Sequence, residues 1–261
     1  VDVLTAMGFR AQWSDTDVLP LANESRLDSL VDIEAAAPLL KERLDPDSQV
    51  MVLPGFYGRN ASGGIQLLGR NGTDYSAAAI AAAMGAELCQ IWKDVDGFFT
   101  ADPRIVPNAR CLEEVSYDEA MELTYFGAKV VSAKALTPLA HNGIACEVRN
   151  TDDPDKPGTL IHREARRADV VRGISPLNVV CSLTMQGGGL RGRVGIARRV
   201  MDALASESIS ILLIVQSSSE YSITLCVRAA DERKARKALD EEFHFERLHG
   251  LIEDLGVQRD L

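Results

Sequence analysis

The spacing of apolar residues changes period several times along this chain, and each change marks an element. A continuous apolar run at 49–56 predicts a buried strand, 60–64 a turn and 65–68 a second strand. The alanine-rich stretch 73–84, stopped by Gly85, predicts a helix, and 88–92 the next strand. Ser116-Tyr117-Asp118-Glu119 has the form of a capping box and opens a helix to about 125. A further helix is predicted over 128–141, ended by Asn142-Gly143, with strands at 144–149 and 159–161. Strands alternating with helices at this interval predict an α/β unit with a mainly parallel sheet covered on both faces.

Beyond the proline- and acid-rich segment 150–158 and the charged stretch 162–169, the pattern resets. The boundary is therefore expected at 162/163, giving units 1–162 and 163–261. The second reads as strand 179–185, a glycine turn at 187–189, helix 192–206, strands 209–215 and 221–227, helix 231–243 and a last strand 251–257. Val194, Ala197, Met201 and Leu204 form the apolar stripe expected of its first helix. This βαββαβ order is that of a ferredoxin-like unit, shared by small-ligand regulatory modules.

Composition narrows the partners. Hydrophobic residues at 46% and charged ones at 25% are globular values, and the net charge of -10 argues against nucleic acid and anionic lipid as partners. A small polar ligand fits better. No apolar run reaches the roughly 18 residues of a membrane span, so a cytoplasmic protein is expected. The five scattered cysteines read as reduced core thiols, and the four histidines share no zinc-type spacing. No protein-held metal is expected. Val1 opens the chain within an apolar run and without an initiator methionine, which suggests a piece of a longer protein.

Two stretches carry the candidate chemistry. Gly69, Gly72 and Thr73 stand at the mouth of the alanine-rich helix, whose free amides attract phosphate or carboxylate. Asp94, Asp96, Gly97, Asp102 and Arg104 gather where the 88–92 strand leaves the sheet, a place where open α/β sheets hold ligands.

These stretches, GRNGTDYSAA, IWKDVDG with its DPR, SYDEAMEL with YFGAK, and NTDDPDKPGTLI, occur in order. Together they resemble the aspartokinases, with the amino-acid kinase fold followed by a first ACT domain. The stretch 211–227 is most similar to the threonine-regulated form fused to homoserine dehydrogenase. The resemblance implies transfer of the γ-phosphoryl of ATP to the side-chain carboxylate of L-aspartate, with magnesium on the nucleotide. It implies NADP only if a dehydrogenase domain accompanies the chain.

By the same resemblance Arg70 grips the substrate carboxylate, while Thr73 and Asp74 face the reacting groups, unless Thr73 is an ordinary helix cap. Lys93, Asp94, Phe99 and Arg104 lie at the nucleotide, and Lys129 contacts its phosphates and serves with Asp74 in catalysis. Lys93 and Phe99 stand where threonine and tyrosine are more usual, and Ser132-Ala133 where His-Pro is common. Ile214 and Gln216 lie near the regulatory amino acid, threonine by this resemblance, at a seam between ACT units that also implies a homo-oligomer.

The family's early Lys-Phe-Gly-Gly loop and its second ACT unit have no counterpart here, so the chain alone is expected to be inactive. The competing readings are another amino-acid kinase, acting on glutamate or carbamate, and a non-catalytic amino-acid-binding regulatory subunit. A dinucleotide site is disfavoured, because Gly187–Gly189 lacks the G-x-G-x-x-G register.

Overall fold

In a computed structural model the described residues are 1–23, 25–44, 47–125, 130–165, 171–176, 179–253 and 255–259. They form two compact units, Val1–Pro176 and Leu177–Leu261. The division falls later than 162/163, because residues after 162 bond to the first unit. Arg163 donates to Ala140 O, Arg172 to Glu114 O and Ile174 N to Thr100 O.

The first unit begins with α1 (Asp2–Ala6), β1 (Ala11–Trp13), a 3-10 turn at Thr16–Val18, α2 (Ile33–Arg43) and β2 (Val50–Val52). β2 is shorter than the apolar run predicts. Pro54 has no N–H to give a ladder, and Phe56 adopts a left-handed φ of 65°, so the chain turns before β3 (Tyr57–Arg59). β4 (Ile65–Leu67) pairs antiparallel with β3.

Helix α3 (Gly72–Met84) follows, closed by left-handed Gly85. Its alanines are small enough to let the helix backbone approach α2 and α5, and Ala78, Ala79, Ala82 and Ala83 are buried there. Next come β5 (Leu88–Lys93), β6 (Glu114–Val115), α4 (Tyr117–Tyr125), α5 (Ala133–Asn142), β7 (Ala145–Asn150) and β8 (Thr159–Ile161). The capping box forms reciprocally: Ser116 N donates to Glu119 Oε2 at 2.8 Å and Glu119 N to Ser116 Oγ at 3.2 Å. α5 starts later than predicted because Ser132 is its N-cap, accepting from Ala135 N at 3.3 Å.

The largest sheet of this unit runs β5-β7-β8-β6. β5/β7, β6/β8 and β1/β2 are parallel, while β7/β8 and β3/β4 are antiparallel. Parallel pairing thus prevails. Segment 150–158 is the connection between antiparallel β7 and β8. Cys89 and Cys146 face each other across β5/β7 as free thiols, and the hydrogen bond with Cys89, then burial, pushes the Cys146 thiol up. Phe98, Leu136, Leu139 and Ile161 are fully buried, each worth about 1.5–3 kcal/mol of apolar transfer.

In the second unit β9 (Val180–Gln186), α6 (Ile196–Ser206), β10 (Ile211–Gln216), β11 (Ser222–Arg228), α7 (Glu232–Glu242), α8 (His244–Leu248) and β12 (Gly256–Arg259) build an antiparallel sheet in the order β10-β11-β9-β12. This is the expected βαββαβ arrangement. α6 begins only at Ile196, since Gly192 and Gly195 are both left-handed. Its buried face is accordingly Ile196, Val200 and Leu204, whereas Val194 lies outside the helix and is fully exposed. The last strand starts at Gly256 rather than 251, where Leu251 O instead accepts from Gly189 N at 2.8 Å. No helix among the described residues is long and apolar enough to cross a membrane.

Candidate active site

Helix α3 begins without a side-chain cap. Asn71, at φ 57°, is its N-cap, so Thr73 is the second helical residue and does not cap it. Among the described residues nothing accepts from the amides of Thr73 and Asp74, which leaves two donors and the positive helix end facing out. Gly69, at φ 83°, and exposed Arg70 form the turn that leads in.

The loop before β3 lies against the same helix end. A side chain at Gly55 would meet Ser76 Oγ at 2.8 Å and Thr73 Cγ2 at 3.0 Å, and Phe56 N donates to Ser76 Oγ at 3.4 Å. Sequence reasoning missed this loop. Its signal was Pro54-Gly55 breaking an otherwise apolar run.

β5 delivers Lys93 to the first turn of α3. Lys93 Nζ is 2.8 Å from Asp74 Oδ2, with side chains only 20% and 14% exposed. Lys93 is the partner of the buried Asp74 Oδ2, for which no further donor is found among the described residues. Of the residues assigned to substrate or nucleotide from the sequence, Lys93 and Asp74 are brought into direct contact. Asp94, one residue on, is exposed and without a partner among the described residues.

The loop after β5 is held by groups the sequence did not single out. Asn150 Nδ2 donates to Asp96 Oδ1 at 2.6 Å and Lys156 Nζ to Asp96 Oδ2 at 3.0 Å. These two, the asparagine first, hold the Asp96 carboxyl below the usual carboxylate range. Gly97 is needed for close approach, since any side chain there would collide with Thr159. Asp96-Gly97 is thus a structural clasp between β5 and the β7/β8 connection.

Phe99 is half-buried and bridged to Cys111. Arg104 is 86% exposed and forks onto Asp102, with Nε to Oδ1 at 3.0 Å and Nη2 to Oδ2 at 2.8 Å. Lys129 lies outside the described residues. No group of three or more His, Cys, Asp or Glu side chains among the described residues is arranged to hold a metal.

In the second unit Gln216 lines a cavity of about 210 Å³ with Leu190, Arg193, Ile196, Glu220 and Ile223. Glu220 Oε2 accepts from Gly192 N at 2.9 Å and so fixes the loop before α6. Ile214 does not line it; half exposed, it sits on edge strand β10.

Residues 2–150, more than half of the chain, match the amino acid kinase family, and residues 183–243 match an ACT domain. The chain belongs to the amino acid kinase family. Within that family it is 41% identical to the bifunctional aspartokinase/homoserine dehydrogenase of Haemophilus influenzae, over 98% of this chain but 32% of that protein. It superposes on Escherichia coli aspartokinase III, solved with lysine and aspartate in the T-state, at a TM-score of 0.75 and 30% identity, covering 99% of this chain and 57% of that one. The same enzyme with aspartate and ADP in its R-state gives 0.72 at 28% identity, covering 99% and 58%. The chain spans about a third of the bifunctional relative and a little over half of the solved kinase.

Proposed function

We propose that this chain supplies the nucleotide-proximal part and the first regulatory domain of an aspartokinase, which converts L-aspartate and ATP to 4-phospho-L-aspartate and ADP. The observation that carries the reading is the junction of β5 with the uncapped end of α3. There Asp74, one residue after Thr73 and four after Arg70, pairs with Lys93, which Asp94 follows. In the reaction a carboxylate oxygen attacks the γ-phosphorus and the bond to the bridging oxygen of ADP breaks, so protein has mainly to align anions and neutralise charge.

In this reading Arg70 forks onto a carboxylate of aspartate, and the amides of Thr73 and Asp74 with the Thr73 hydroxyl face the reacting oxygens. Lys93, Phe99, Arg104 and Lys129 serve the nucleotide, and Lys129 and Asp74 act in catalysis. Asp94, unpartnered among the described residues, fits a nucleotide-bound magnesium, which needs only one or two protein carboxylates beside water and phosphate. That ion supplies neutralisation of phosphate oxygens.

The relatives' ligands and the ACT match support an amino-acid effector. We assign Gln216 and Ile214 to it and threonine as its identity, with ACT units pairing into a homo-oligomer.

A coupled assay for ADP release on the full-length protein, across aspartate, glutamate and carbamate, tests the reading. Aspartate-dependent release is expected. Release with another acid alone, or with none, overturns it. The chain alone, without the lysine of the family's early Lys-Phe-Gly-Gly loop, is expected to be slower by roughly two to three powers of ten.

A further inference from the structure

Lys134 lies on α5 and has no role assigned above, yet its ammonium is the most heavily engaged among the described lysines. The side chain is 22% exposed, and Nζ donates to Asp28 Oδ1 at 2.5 Å, Ser29 O at 2.9 Å and Leu68 O at 2.8 Å. Three donors meet three acceptors, which saturates the group. It also lies 4.8 Å from the ring centroid of Tyr75, in the first turn of α3, whose hydroxyl accepts from Val31 N at 3.0 Å.

These contacts converge on one turn. Leu68 directly precedes Gly69-Arg70-Asn71, and Leu68 N is fixed to Phe56 O at 2.9 Å. Gly69 is left-handed and pressed onto Asp28, so that any side chain there would collide with the carboxylate that Lys134 holds. Arg70 itself has no side-chain partner among the described residues. Its place is therefore set by the backbone, and the backbone is anchored through Lys134.

We infer that Lys134 is a positioning residue for the carboxylate-binding turn: by tying Asp28, Ser29 and Leu68 to α5 and lying over Tyr75, it fixes where Arg70 and the mouth of α3 meet L-aspartate. This rests on the aspartokinase reading and adds a residue which that reading does not use. A planar guanidinium cannot point three donors at these convergent acceptors as an ammonium does, so arginine is expected to replace it only in part.

The test compares wild type, Lys134→Met, Lys134→Arg and Asp28→Asn in the full-length protein. Misplacing a binding group by about 1 Å can cost up to about a hundredfold, so Lys134→Met is expected to raise the KM for aspartate about ten- to hundredfold. The KM for ATP is expected to stay within about twofold, with Lys134→Arg intermediate. Asp28→Asn keeps the carbonyl anchors and gives a smaller rise in the same parameter, which keeps the inference testable if Lys134→Met does not fold. Faster amide hydrogen exchange confined to 69–73 in the Lys134 variants is the readout independent of turnover. Equal change in both KM values, or no change in either together with unaltered exchange, overturns the role of Lys134. A wild-type protein that turns over no aspartate instead overturns the reading of the site.

Discussion

Lys93 and Asp74 form a half-closed ion pair at the centre of the site, and their burial decides what their loss does. Exposed pairs are worth about 0–1 kcal/mol, whereas stranding one member of a fully buried pair costs about 3–5 kcal/mol. With exposures of 20% and 14%, Lys93→Met is expected to destabilise by about 1–3 kcal/mol. Adding Asp74→Asn removes the stranded charge, so urea unfolding of the double variant should show less loss than the two singles summed. A strictly additive cycle would show that the two charges do not interact. Arg104 is the opposite case. At 86% exposure its fork onto Asp102 adds little, so Arg104→Ala is expected to leave stability within about 0.5 kcal/mol while raising the KM for ATP. A loss of stability with unchanged ATP use would assign Arg104 to the loop alone. Sequence could name Lys93, Asp74 and Arg104 individually, because each sits in a short ordered stretch. It could not foresee Asp96 with Asn150 and Lys156, since a clasp between residues more than fifty positions apart leaves no local pattern.

At the level of elements, the sequence was legible wherever local chemistry closes an end. The reciprocal capping box of α4, Gly85 after α3 and Gly143 after α5 all stand where composition put them. It was less legible where a continuous apolar run hides a turn, as at Pro54-Gly55-Phe56, or where two glycines delay a helix, as before α6. The clamp between α6 and α8 was not legible at all. Arg199 reaches Glu242 Oε1 and Glu246 Oε1 at 2.6 Å each and lies 4.4 Å from the Phe243 ring centroid, around a Glu246 side chain only 6% exposed. Arg199 first, then burial acting in the opposite sense, leaves the Glu246 carboxyl below its usual range. A carboxylate with a lowered folded pKa gives stability that is fully present above its unfolded value near 4.3 and is lost as pH falls through the folded value. Glu246→Gln is therefore expected to cost about 1–3 kcal/mol at pH 7. The melting temperatures of variant and wild type should converge as pH drops below about 4. Scanning calorimetry from pH 7 to 3 measures this, and a gap that stays constant with pH would remove the charge from the explanation.

For the whole molecule, the proposed effector site and the proposed reaction lie on different units. Edge strand β10 leaves Leu213, Ile214 and Val215 at 50%, 51% and 53% exposure, a row of apolar side chains beside an unpaired ladder. In the proposed pairing of ACT units, a second ACT unit would complete this edge with a strand of its own. Gln216 ends that strand and lines the 210 Å³ cavity with Arg193 and Glu220, so the cavity offers an amide, a cation and a carboxylate to the hydroxyl, carboxylate and ammonium of a small amino acid. In the proposed pairing, the second ACT unit would lie beside the strand that Gln216 ends. The full-length protein is accordingly expected to bind threonine more tightly than this chain alone, with inhibition accompanying binding only if threonine prefers one state of the kinase unit. Gln216→Ala removes one donor and one acceptor and is expected to weaken threonine binding about tenfold or more. Leu213→Lys on the same strand is expected to weaken self-association and threonine binding together, because a charge on the edge opposes strand addition. Calorimetry with threonine, lysine and methionine, beside sedimentation of the same samples, separates the possibilities. Tight lysine binding without threonine binding would reassign the effector, and threonine affinity unchanged in both variants would place its site elsewhere than the β10 seam.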